Sequence, residues 1–286
     1  METSRHQVET DALSYAQFDS ATYLANLVKA GVRQDGRSLT GLRPLSLLQG
    51  ILQGTTAGSA LVKIGGTKVV AGVTLLVGQP AEDTPSKGEI GVEVHLPPMC
   101  HPKYTSIQIQ QEEGKALETF VQNVLLKCGV VRREDLRISE GRHVWKLNVD
   151  IQCLSHEGSL GDACILAAAS ALADVQLPAT ALDKDEEVVI LSDTPPRPLE
   201  MTRFPVPLTI GLHSDKFLCD LSLTEEERMP TQMTLVLDAE NGHLCSAQKA
   251  GGASMASEQL ARAFALCSAR QKQVTRARGQ QKPRSL

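Results

Sequence analysis

The densest group of catalytic-type side chains lies late in the chain, where Asp220 is followed by the run Glu225–Glu227. Carboxylates at this spacing can bind a metal ion or act as general acid and base. A solvated loop between two strands is the simpler interpretation, and we favour it unless the rest of a site accompanies the acids.

Other motifs for catalysis or metal binding are absent from the sequence. There is no nucleotide-binding Walker loop, no GxSxG elbow, no HExxH motif and no paired-cysteine metal site. The seven histidines are isolated, and the seven cysteines are scattered, several of them within apolar stretches. This pattern predicts buried free thiols in a reducing compartment. We therefore predict no metal site, no cofactor and no catalytic residue from these motifs.

Composition indicates an ordinary globular protein, with 42% hydrophobic and 22% charged residues among 286. The chain is long enough for one large or two modest domains. No apolar run approaches the roughly 18 residues of a membrane helix. The polar N-terminus does not suggest a secretory signal, so we expect no membrane association.

Charge is unevenly distributed along the chain. The formal net charge is −4, yet the segment 270–286 carries six basic residues and no acid. We predict a solvated, disordered basic tail, although such a tail can also contact nucleic acid or a protein partner. Because the rest of the chain is acidic, a nucleic-acid contact is expected to be local or shared with partners.

Apolar periodicity predicts the elements that must position these side chains. Period-two alternation predicts a hairpin about Gly65-Gly66 and a strand over 145–153. Further strands are predicted at 92–96, 206–212, 216–221, 231–238 and 243–249, and helices at 14–30, 112–128, 162–173 and 254–269. The acidic and proline-containing segment 179–205 is predicted to be a linker. The predicted fold class is α+β, with two similar halves of antiparallel sheet and packed helices.

A series of short motifs then occurs in a specific order. It comprises Arg33-Gln34-Asp35-Gly36-Arg37, Arg43-Pro44, Gly58–Val70, Leu96–Cys100, Glu140–Trp145, Gly158–Cys164, Val175–Pro178, Asp220, Met233–Asp238 and Gly251-Gly252. Together these motifs resemble the ribonuclease PH family over roughly residues 24–270, and among its members the ring subunits of the RNA exosome. The resemblance implies a ribonuclease PH-type fold (ribosomal protein S5 domain 2-like) with two pseudo-symmetric βα halves.

The sequence patterns and the resemblance together divide the chain into five segments. We expect an N-terminal helix over 1–30, a ribonuclease PH-like first half over 31–178 and a ribonuclease PH-like second half over 206–269, separated by the linker 179–205. The basic tail 270–286 follows.

The resemblance implies that active members of this family hold the attacking phosphate through arginines of a Gly-Thr/Ser-Arg loop and an arginine-rich segment. A pair of aspartates assists proton and metal handling at the leaving oxygen. This sequence has Gly158-Ser159-Leu160-Gly161 without arginine at the first position and Ile107–Glu113 at the second. The second aspartate is replaced within Glu225–Glu227. Arginine donors hold phosphate bidentately, so their loss predicts a chain that is not an enzyme.

The resemblance also implies partners and RNA contacts. It places the chain in a hetero-oligomeric ring of ribonuclease PH-like subunits with cap proteins, through whose central channel RNA passes. Lys103 and Tyr104 match a channel-facing loop, where Lys103 would contact phosphates and Tyr104 would stack on a base. Arg33 and Arg37 are expected to support the Asp35-Gly36 turn. Nucleus, nucleolus and cytoplasm are the expected locations.

Two other functions stay open from the sequence. One is an inactive half of a heterodimer that completes a phosphorolytic exoribonuclease site. The other is an RNA-binding protein that acts alone through its basic tail.

Overall fold

A computed structural model of the chain describes residues 20–81, 83–182, 188–191, 194–213, 215–249 and 251–280. The first half is built on one sheet, whose strands are β1 (Leu45–Gln49), β2 (Gly58–Ile64), β3 (Thr67–Gly78), β4 (Glu89–His95), β5 (Arg137–Ser139) and β6 (His143–Ser155). The order is β1-β2-β3-β6-β4, with β5 also paired to β6. Only the β4–β6 pair is parallel among these strands. The predicted hairpin and the predicted strand over 145–153 are confirmed.

The N-terminal helix α1 (Ser20–Ala30) packs through Leu24 and Val28 against residues of the second half. Two other helices, α2 (Ile107–Cys128) and α3 (Leu160–Ala173), pack against the sheet of the first half. Helix α3 is buried along nearly its whole length. Its small alanine side chains allow it to pack against the first sheet and against the sheet of the second half. Helix α2 begins five residues earlier than predicted and ends at Cys128, where the C-cap residue Gly129 has a φ of 60°. The part of the predicted N-terminal helix before residue 20 lies outside the described residues.

Short strands lie just before and within the predicted linker 179–205. Strand β7 (Gln176–Leu177) precedes it, and β8 (Thr180–Leu182), β9 (Val188–Ile190) and β10 (Arg197–Pro198) lie within it. Strand β7 pairs with β10 and β8 pairs with β9, so the segment folds back upon itself between the halves. The acidic residues at 183–187 lie outside the described residues.

The second half has its own sheet, formed by β11 (Pro205–His213), β12 (Lys216–Cys219), β13 (Thr231–Asp238) and β14 (Leu244–Lys249). The order is β12-β11-β13-β14, and every pairing is antiparallel. The short helix α4 (Leu223–Glu226) and the long helix α5 (Ser257–Gly279) complete this half. The α+β prediction is confirmed.

The expected disordered tail is wrong over residues 270–279. Helix α5 continues to Gly279, ten residues beyond the expected boundary at 269, and its buried face includes Arg270 and Val274. Arg270 is 0% exposed because it pairs with a buried aspartate. Residues 281–286 lie outside the described part of the chain.

Two further expectations concern thiols and membranes. All seven cysteines are free, and Cys245 is the one that is not fully buried. Within the described residues, no helix is sufficiently long and apolar to cross a membrane.

Candidate functional site

A cleft of about 450 Å³ opens between the two halves at the N-terminal end of α3. It is bounded by α2, the start of α3, α4 and the strands β11, β13 and β14. This is where the sequence resemblance places the phosphate-binding loop and the RNA-contacting loop. Its titratable side chains are Lys103, Tyr104, Glu113, His156, Glu226 and Glu227.

The chain enters α3 through a turn that requires glycine. Gly158 has a φ of 97°, and a Cβ at this position would collide with the carbonyl oxygen of Leu221. The next residue, Ser159, donates its backbone N–H to Glu226 Oε2 at 3.0 Å. A helix N-terminus favours anions because its N–H groups lack partners. Here a carboxylate of the second half takes the place that an incoming phosphate would need.

The charges around the cleft oppose phosphate binding. Three glutamates line it against one lysine, and Lys103 Nζ is already paired with Glu113 Oε2 at 2.9 Å. Burial raises the pKa of Glu226, and repulsion by Asp162 adds to this effect, while the Ser159 N–H opposes it. No arginine of the described residues lines the cleft. Phosphorolysis uses cationic donors to hold the attacking phosphate, and among the described residues that line this cleft Lys103 is the one basic side chain.

Tyr104 is placed differently from the prediction. It is 0% exposed, and its hydroxyl donates to Glu113 at 2.9 Å. Its ring stacks on His156 with centroids 5.9 Å apart. The prediction that Tyr104 stacks on a base is therefore wrong, because its faces are buried in the protein. Lys103 is only partly exposed, and its contact with RNA stays a prediction.

His156 continues this hydrogen-bonded chain. Its Nδ1 lies 3.1 Å from the Tyr104 hydroxyl, whereas its Nε2 has no partner among the described residues. Burial lowers the pKa of His156 to about 4, and Lys103 adds to this effect. The imidazole is therefore neutral at physiological pH.

Asp220, which the sequence resemblance matches to one of the two aspartates of active family members, is surrounded by arginine side chains. It is 0% exposed, and its Oδ1 accepts from Arg43 Nη2 at 2.6 Å and Nε at 3.1 Å. Arg270 Nη2 lies 3.2 Å from Oδ2, and Arg37 Nη1 lies 3.7 Å from it. Burial alone would raise the pKa of Asp220, but Arg270 and Arg43 outweigh it and hold the pKa at about 2. Asp220 is thus an ionised structural anchor between the halves.

The expected role of the acidic run needs correction, and Arg33 does more than support its turn. Arg33 donates from Nε to Glu225 Oε1 at 2.9 Å and from Nη1 to the Cys219 carbonyl at 2.7 Å. Its side chain therefore links the N-terminal segment to the second half, while its backbone carbonyl accepts the Gly36 N–H of the turn at 3.0 Å, as expected. Arg37 does bond to Asp35, as expected. Glu225 is buried in α4, so the interpretation of the acidic run as a solvated loop is wrong for this residue.

One group outside the cleft has metal-ligand chemistry. Glu93, His95 and Asp150 project from neighbouring strands β4 and β6, and one ligand atom of each lies within 4.8 Å of the others. The Glu93 and His95 side chains are exposed, and Asp150 is half-buried. The group shares no residue with the cleft. It was not singled out by the sequence, because its members are close only through strand pairing.

Comparisons with known proteins agree with this geometry. Family models match the 3′ exoribonuclease family, domain 1 at residues 41–178 and domain 2 at 203–269. The exosome complex component Rrp42 of Methanopyrus kandleri is 35% identical, over 78% of this chain and 81% of that protein. Its counterpart in Thermococcus onnurineus is 34% identical, over 83% and 86%.

Solved structures are similar over nearly the whole chain. A chain of the Archaeoglobus fulgidus exosome with RNA bound to the active site superposes with a TM-score of 0.78 at 28% identity, covering 90% of this chain and 96% of that one. An archaeal exosome core chain gives 0.73 at 28% identity, covering 88% and 95%. The fold and cleft thus define a two-half chain of the RNase PH type. The protein belongs to the 3′ exoribonuclease family.

Proposed function

We propose that this chain is a non-catalytic ring subunit of an RNA exosome, supporting 3′-to-5′ processing and decay of RNA. One observation carries the loss of catalysis: the cleft at the start of α3 is lined by Glu113, Glu226 and Glu227 and by no arginine of the described residues. The similarity to archaeal Rrp42 supports the place in a ring.

The proposed partners are other ribonuclease PH-like ring subunits and cap proteins, with RNA passing through a central channel. Catalysis would then be supplied by another chain. Lys103 is the proposed RNA contact of this subunit. Maturation of rRNA and turnover of mRNA, in nucleus, nucleolus and cytoplasm, are the proposed processes. Among eukaryotic ring subunits we propose component eight, on the Pro97-Pro98-Met99-Cys100 and Gly158–Cys164 segments.

A second candidate is the inactive half of a heterodimer that completes a phosphorolytic 3′-to-5′ exoribonuclease site. The likeness to a chain from an exosome with RNA in its active site favours it. In this case the partner would carry the phosphate-binding arginines that this chain lacks. The two candidates differ in product, because phosphorolysis releases nucleoside diphosphates and hydrolysis releases monophosphates.

The test is affinity purification of the tagged chain from its own cells at moderate salt, followed by mass spectrometry. A parallel purification with the tag alone is the control. We expect five other ribonuclease PH-like chains together with cap proteins. Recovery as a free monomer, or as a ring of this chain alone, would overturn the proposal. The sequences of the recovered neighbours then decide between the two candidates.

A further inference from the structure

The cleft is a formed cavity whose lining carries more carboxylates than basic side chains. Its volume between the halves is about 450 Å³, and its apolar walls include Leu117, Phe120 and Leu160. Gly161 keeps α3 close to α2, because a Cβ there would approach the Phe120 ring to 3.1 Å. The cavity is therefore held open by the packing of its walls, and its lining chemistry indicates what it can hold.

Two carboxylates at the C-terminal end of α4, Glu226 and Glu227, form no ion pair with the described residues, unlike Glu225, which is bound by Arg33. Glu226 is half-buried and accepts a single backbone N–H, that of Ser159. Glu227 is exposed next to it, and neither side chain forms an ion pair with any described residue. Half-buried carboxylates are stabilised when an opposite charge comes close, because the medium around them screens weakly. The cleft is thus complementary to a cation.

His156 gives an independent indication of the same kind. The Tyr104 hydroxyl donates to Glu113, so its oxygen accepts from His156 and the imidazole proton is on Nδ1. The lone pair is then on Nε2, which has no described partner although His156 is only 6% exposed. A buried acceptor without a donor is costly. The unsatisfied groups in the cleft wall are thus acceptors, so a ligand that supplies N–H donors suits the cleft better than one that supplies acceptors.

We propose that this cleft binds a guanidinium or ammonium group on a flexible apolar chain, with the charged head at Glu226 and Glu227 and the apolar chain against Leu117 and Phe120. A guanidinium offers five N–H donors and an ammonium three. The methylene groups of such a ligand match the apolar walls. The ligand class is opposite in charge to the phosphate that the family's active members bind. The inference concerns this cavity and does not depend on membership of a ring.

The probe is agmatine, a guanidinium on a four-carbon chain, titrated into the full-length protein by calorimetry. We expect saturable binding that weakens at least tenfold in Glu226→Gln/Glu227→Gln. The matched control, Glu140→Gln, removes an exposed carboxylate far from the cleft and should bind as the wild type does. Glu227→Lys is a second variant that places a cation in the cleft from an exposed position, and it should abolish binding without affecting folding.

Absence of agmatine binding to the folded wild type would overturn the inference. Equal binding by the wild type and by both cleft variants, or competition by inorganic phosphate at the cleft, would also overturn it. The cation can come from two sources, a basic side chain of a neighbouring subunit or a free small molecule, and agmatine titration of the purified native assembly distinguishes them. If agmatine binds the free chain but not the assembly, a neighbour's basic side chain occupies the cleft. If agmatine binds both, the cleft holds a free cation.

Discussion

Replacing Asp220 by asparagine should remove the charge that holds the two halves together and leave the backbone as it is. Asp220 has a φ of 55°, and asparagine adopts this left-handed conformation as readily as aspartate does. The substitution leaves Arg43 and the fully buried Arg270 without their shared carboxylate. Removing one partner of a buried ion pair costs about 3–5 kcal/mol, because the remaining charge stays desolvated. We expect a loss of that size in the free energy of unfolding.

The assay is urea unfolding of the full-length protein followed by the fluorescence of Trp145, the single tryptophan, which is 4% exposed. At an m-value of about 2–3 kcal/mol per M, the midpoint should fall by roughly 1–2 M. Asp135→Asn is the matched control, because its pair with Arg132 is 3.9 Å long and largely exposed, so its loss should be below about 1 kcal/mol. If Asp220→Asn and Asp135→Asn cost the same, the arginine cluster does not organise the interface between the halves.

Three further outcomes are expected. The folded pKa of His156, about 4, is below its unfolded value of 6.5, so its contribution to stability is complete above pH 6.5 and is lost as pH falls toward 4. The full loss is about 3 kcal/mol of unfolding free energy. Urea unfolding at pH 7 and pH 5 should show that the unfolding free energy of His156→Gln depends less on pH than that of the wild type. An equal pH dependence in both proteins would contradict the buried, neutral state of His156. Gly158→Ala should cost at least about 2 kcal/mol because of its φ and the collision with Leu221, whereas Gly54→Ala, with a φ of 81° and open space, should cost about 1 kcal/mol; similar losses in a melt would show that the turn can relax. In the purified assembly, Lys103→Ala should weaken RNA binding uniformly across sequences and lower the salt slope by about 1; an unchanged slope would exclude a phosphate contact.

The elements were largely predictable because their patterns are local. The hairpin at Gly65-Gly66 is signalled by its turn residues and by alternation on both sides. Helix α5 was predicted too short, because Arg270 interrupts its apolar stripe. The burial of this arginine depends on Asp220, fifty residues earlier in the chain, and no local pattern reports such a pair.

The absence of arginines from the candidate site could be predicted from the sequence, whereas the contacts among the residues that line it could not. The missing arginines are visible in the sequence, because their expected positions follow a recognisable motif order. The burial of Tyr104 depends on Glu113 and His156, which reach it only in the folded chain. The capping of the α3 end by Glu226 likewise joins residues 67 positions apart. Such contacts belong to the packing of the halves, which the sequence pattern does not encode locally.

The central claim is that the cleft of this chain performs no catalysis. The most direct test is RNA degradation by the purified native assembly carrying Gln248→Trp, a substitution that places a bulky side chain in the cleft from an exposed strand position. Release of nucleoside mono- and diphosphates is followed with and without inorganic phosphate, after co-purification has shown that the assembly is intact. We predict rates within twofold of the wild type under both conditions. A tenfold loss of phosphate-dependent diphosphate release would contradict the account, because it would place a working phosphorolytic site in this cleft.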